Sequence, residues 1–198
     1  MIGALPESLI VDGVEYPIRS DYRNVLQVFE VFSDTELEQS EKWIIAIYLL
    51  FGCFTCADDV LQATENGFNV GEAVKEIAWF ITAGAPEKEV LEKPAYSWQK
   101  DEQMIFAAVN KVAGTETRAL PYLHWWTFLG YFSEVGEGTF SFIVGIRNKL
   151  NKGKKLEKHE KDFLSHNREL IKLEKPKTKE EMEQEVEYKS LLDEVLGQ

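Results

Sequence analysis

The chain has 198 residues, 44% of them hydrophobic and 28% charged, with a formal net charge of −12; this is the composition of a folded protein rather than a disordered one. Its length allows one core of domain size, or a domain of about 150 residues with an appendage. The acidic balance argues against nucleic acid and anionic lipid as partners, since binding there relies on Lys and Arg displacing counterions, and the longest apolar run, residues 43–56, is shorter than the roughly 20 residues of a membrane span.

The N-terminal stretch has no basic region followed by an apolar one, so no signal peptide is expected and a cytoplasmic site follows. Charge is unevenly spread: residues 1–150 hold 22 acidic and 11 basic side chains, net −11, and residues 151–198 hold 12 and 11, net −1. The expected organisation is therefore a compact body over 1–150 and a charged extension over 151–198.

Leu9-Ile10-Val11 and the run from Val14 to Ile18 flank Asp12-Gly13, the dipeptide best suited to a type I′ turn, and predict a β-hairpin. Pro17 cannot donate to a ladder, so the second strand is an edge or ends there. Tyr22, Val25, Leu26, Phe29 and Phe32 have helical spacing, with Ser20 or Asp21 able to cap the first turn. Residues 36–51 predict a second helix whose later half is apolar on every side, and residues 57–66 a short third. Residues 71–82 predict an amphipathic helix ended by Gly84-Ala85-Pro86, and 85–95 an exposed connection. Ser97 is placed to cap a helix over 98–113 that stops at Gly114.

Residues 121–132 hold six aromatic side chains, Tyr122, Trp125, Trp126, Phe128, Tyr131 and Phe132. Pro121 suits the first position of a helix here, on which His124, Thr127 and Tyr131 form the semi-polar strip. Core packing is the favoured reading of the double tryptophan, because each buried aromatic removes about 150–250 Å² from water. A further helix is expected over 139–150, a thin-striped one over 156–173, and a last one opened by a Thr178–Glu181 capping box. In that last helix Met182, Val186, Leu192 and Leu196 are the candidate partner-binding residues, because so narrow a stripe gains little from packing alone. The fold class expected is mainly α: an N-terminal β-hairpin, a compact multi-helix bundle and a charged C-terminal helical extension.

Signs of catalysis are absent from the sequence. There is no Rossmann glycine fingerprint, P-loop, zinc-protease helix or nucleophile elbow. Cys53 and Cys56 supply only two of a usual four zinc ligands; without a thioredoxin-like setting they read as small thiols at the end of a buried helix. Asp58-Asp59 reads as helix N-terminal charge. His124 as a general base has no evident nucleophile or acid beside it, so no enzyme, cofactor or metal site is expected.

The string Leu123-His124-Trp125-Trp126-x-Phe128 resembles the LHWWxF hallmark of the bacteriophage gene-product-fifteen family of small siphophage proteins. The opening hairpin followed by Ile18, Arg19, Asp21, Tyr22 and Arg23 is similar to that family's turn into its first helix. The helix after Tyr96, with Asp101 at an acidic position, and the segment ending at Arg147 also resemble it, although Thr127 and Ile146 stand where lysine and tyrosine are usual. The resemblance covers about residues 5–150, with a weaker continuation to about 172. It implies a tailed phage or prophage and a tail assembly chaperone in the host cytoplasm that binds the tape measure protein before the tail tube polymerises, with the tube protein as another partner; separately, the thin-striped last helix suits pairing with a second copy of the chain as a homo-oligomer. The alternative it implies is a minor tail or connector component retained in the virion.

Overall fold

The computed structural model describes residues 3–86 and 93–173. Strands β1 (Ser8–Val11) and β2 (Val14–Pro17) pair antiparallel with Val11 opposite Val14. Asp12 and Gly13 both have positive φ, 49° and 77°, as a type I′ turn requires. The hairpin sits on the helices: Asp12 N–H donates to Glu72 at 2.7 Å, and Asn69 donates to the Asp12 carboxylate at 3.1 Å. β1 packs there against α4 (Val70–Ile81).

Helix α1 (Tyr22–Ser33) packs on α2 (Gln39–Leu50), which also meets α3 (Ala57–Glu65) and α4. The apolar half of α2 is enclosed as expected. Ala46, Ile47 and Leu50 are fully buried, and Trp43, Ile44, Tyr48 and Leu49 pack against the same core. Helix α5 (Glu102–Ala113) contacts α6 (Trp125–Ser133) and α7 (Thr139–Asn151). Gly114 ends α5 at φ 69°, a left-handed position that suits glycine.

A second, smaller cluster lies beyond. Ile143 and Ile146 of α7 meet Ile171 of α9 (Arg168–Ile171), and Phe163 of α8 (Lys158–His166) packs beside them. The chain from 156 to 171 is thus folded back onto α7. The fold is a β-hairpin on a bundle of helices, mainly α, with charged helices following the bundle.

Four expectations need correction. Helix α6 starts at Trp125, not Pro121, because Leu123 and His124 are held extended: Tyr22 N–H donates to Leu123 O at 3.0 Å and Trp125 N–H to Ser20 O at 2.8 Å. Helix α5 starts at Glu102, four residues late, since the Asp101 carboxylate accepts from Ser97 N–H and gathers residues 97–101 into a turn. The stretch 156–173 is two helices, broken at Asn167 (φ −129°), whose amide donates to Phe163 O. Cys53 and Cys56 are exposed, in the connection between α2 and α3 rather than on a buried helix end. Met182, Val186, Leu192 and Leu196, with the Thr178–Glu181 box, lie outside the described residues.

Candidate functional site

The candidate site residues converge on one corner where α1, α4 and α6 meet. Asp21 caps α1 by accepting from Arg23 N–H at 2.9 Å, and its second oxygen accepts from Leu123 N–H at 3.0 Å. Arg23 grips the same carboxylate and donates to Leu120 O. One acidic side chain therefore starts α1 and holds the approach to α6. Tyr22, beside it, stacks flat on Phe128 with ring centroids 4.5 Å apart.

His124 is the N-cap of α6, not a member of a helix strip. Its Nδ1 accepts from Trp126 N–H at 3.0 Å, and Nε2 lies 2.9 Å from Pro6 O. An amide must donate and a carbonyl must accept, so the ring is the neutral tautomer carrying its proton on Nε2. Both nitrogens are engaged and the side chain is buried.

Trp125 and Trp126 differ from phenylalanines in one respect that the structure uses. Trp125 Nε1 donates to Ile81 O at 2.9 Å and Trp126 Nε1 to Phe80 O at 2.8 Å. These carbonyls are in the last turn of α4, where intrahelical donors run out. The pair thus closes the end of α4 while their rings fill the core. Trp125 is 1% exposed; Trp126 is partly buried and edges onto Trp79.

Two further motif residues far apart in sequence meet in the interior. Arg147 forms a fork with Asp101, with N–O distances of 2.5 and 2.9 Å and side chains 3% and 0% exposed. Its remaining donors reach Ile171 O, Leu170 O and Ala95 O. Sequence reading marked both residues but not their partnership, because a contact across 46 positions leaves no local periodic trace. Arg19 acts similarly at the end of α2, donating to the carbonyls of Tyr48, Phe51 and Phe54 at 2.6–2.8 Å, a cation where the helix dipole is negative.

Among the described residues a groove of about 1580 Å³ opens between α1 and the 94–106 segment. Half-buried side chains pave it: Leu26, Phe29, Tyr96 and Trp98, with Ile105 and Phe106 below. Phe29 and Trp98 stack at 5.7 Å, and burial pushes the Tyr96 hydroxyl pKa up. Arg23, Lys100 and Arg118 stand on its rim with Glu30 and Glu102. Sequence reading missed it, since Phe29 and Trp98 look like core residues of two separate helices.

Among the described residues no group of three or more His, Cys, Asp or Glu could hold a metal ion, and no helix is long and apolar enough to cross a membrane. No curated protein and no solved structure matches the chain. A family model described as Bacteriophage Gp15 protein matches residues 1–173, ending just past Ile171, the last buried residue among those described. A match over that much of the 198 residues joins the expectation raised by the corner motif, and the chain belongs to the Bacteriophage Gp15 protein family.

Proposed function

We propose that this phage protein is a non-enzymatic tail assembly chaperone, acting in the host cytoplasm, that holds the tape measure protein soluble until tail tube subunits polymerise around it. The observation that carries the reading is the aromatic groove on an acidic body. An apolar channel beside a helix takes one face of an amphipathic client helix, and net negative charge opposes aggregation of the complex. The polar groups of the motif corner and of the buried ion pair support binding over catalysis: His124, Asp101 and Arg147 are spent on internal bonds.

Co-expression with the tape measure protein tests the proposal. The client should become soluble and co-purify, and Leu26→Glu in the groove should weaken capture at least tenfold while the protein stays folded. No gain in solubility and no co-purification would sink the idea. Mass spectrometry of purified virions separates the chaperone from a minor tail or connector component, since a chaperone is missing there or at trace level. Light scattering of the free protein and of mixtures with tube protein reads self-association and the second partner.

A further inference from the structure

We propose that the groove between α1 and the 94–106 segment is a docking site for this chain's own C-terminal segment, residues 178–196, which occupies it when no other ligand is present. Three observations favour that occupant. First, the described chain ends at the groove: Leu173 lines it, and the Lys100 ammonium on its rim donates to Lys172 O at 2.6 Å. The exit point of the last 25 residues is therefore fixed on the wall of the site. Thr178 lies within about 17 Å of Leu173 even at full extension, and so short a tether gives an effective concentration in the millimolar range.

Second, the segment carries the surface that such a groove accepts. Met182 and Val186 are one helical turn apart, as are Leu192 and Leu196, and the groove offers Leu26, Phe29 and Trp98 half-buried. Laying an apolar stripe into an aromatic channel is the helix-in-groove mode of recognition.

Third, a cation stands where the acidic segment leaves the described fold. Residues 178–198 hold seven acidic and two basic side chains. Of the basic residues that line the groove, Arg23 and Arg118 hold carboxylates of their own, Asp21 and Glu116, while the Lys100 ammonium is held by a carbonyl, a cation on the rim of a chain whose net charge is −12. An acidic amphipathic segment is drawn to that ammonium and repelled by the acidic balance of the rest of the chain.

The inference stands on the groove and the tail and does not require a client. In the full-length chain, Cys53→Ser and Cys56→Ser remove the exposed thiols, and Gln27→Cys places a reporter on the exposed face of α1 beside the groove. Alkylation of that thiol by iodoacetamide should be slow, and should accelerate at least tenfold when Val186→Glu and Leu192→Glu are added. Amide hydrogen exchange over 22–33, measured on the unmodified chain and on the same tail variant, gives a second readout free of the reporter, with protection expected to fall. Equal alkylation and equal exchange with and without the tail substitutions would overturn the proposal. Protection lost on dilution to nanomolar protein would also overturn it, in favour of a second copy's tail as occupant. Failure to capture tape measure protein touches neither readout, so the two proposals fail separately.

Discussion

The polar side chains of the motif corner, Asp21, Arg23, His124, Trp125 and Trp126, each have a partner in the fold. The indoles show what this arrangement contributes. Trp125 is enclosed between Phe29, Trp98 and Phe128, whereas Trp126 keeps part of its ring in solvent. Trp125→Ala removes a fully buried aromatic and should cost about 3–5 kcal/mol. Trp126→Phe keeps a ring but deletes the donor to Phe80 O, and should cost about 1 kcal/mol, the net worth of one hydrogen bond. Urea unfolding followed by circular dichroism measures both, and equal costs would show that the buried ring of Trp125 contributes no more than the single Trp126 hydrogen bond. His124 follows the same logic with less area, because its ring joins Pro6 to the first turn of α6. A residue spent that way has no lone pair left for a substrate proton.

Short helices in this chain depend on their caps, and α3 is the clearest case. Nine residues are too few for stable helix formation in water without help. Asp59 provides that help: one carboxylate oxygen accepts from Thr55 Oγ1 at 2.6 Å, Thr55 N–H at 2.7 Å and Cys56 N–H at 3.3 Å. Those bonds, the Thr55 hydroxyl foremost, hold the Asp59 pKa at about 2, below the roughly 3.9 of a free aspartate. A folded-state value below the unfolded one means the unfolded chain binds more protons, so this contribution is complete above pH about 4 and is lost as pH falls towards 2. The stability gap between the native chain and Asp59→Asn, followed by urea titration, should shrink steadily from pH 5 to pH 2; a constant gap would remove the carboxylate from the account. Elements driven by periodic burial were legible in the sequence for this reason: α1, α2, α4 and the hairpin write their pattern locally. The starts of α5 and α6 were not. Ser97 and Pro121 obey local rules for helix entry, but Asp101 gathers the turn before α5, and the bridge between Asp21 and His124 keeps the chain extended up to Trp125. Exposure of the cysteines was hidden likewise, because Arg19 rather than helix continuation determines the path after Leu50.

At the scale of the molecule the question is what makes two apolar clusters one folding unit. The large cluster contains or contacts Trp43, Trp98, Trp125 and Trp126, while the small one joins Ile143 and Ile146 to Ile171. Met104 packs against both, and the Asp101–Arg147 fork links α5 to α7 in the same region. Arg147 reaches further, because its donors to Leu170 O and Ile171 O fasten α9, the far side of the small cluster. Removing one partner from such a pair leaves a buried, uncompensated charge, which costs about 3–5 kcal/mol. Arg147→Met therefore should do more than lower the unfolding midpoint. It strands the Asp101 carboxylate and frees the α9 carbonyls together, so the clusters should separate energetically. In the native chain, amide protection at Ile171 and the tryptophan fluorescence should be lost at one denaturant concentration, as for a cooperative unit. In Arg147→Met the Ile171 amide should lose protection first, at a concentration where the tryptophan signal is still native. Coincident loss in the variant would show that Met104 and the α7 isoleucines alone couple the clusters, and that the fork contributes stability without cooperativity.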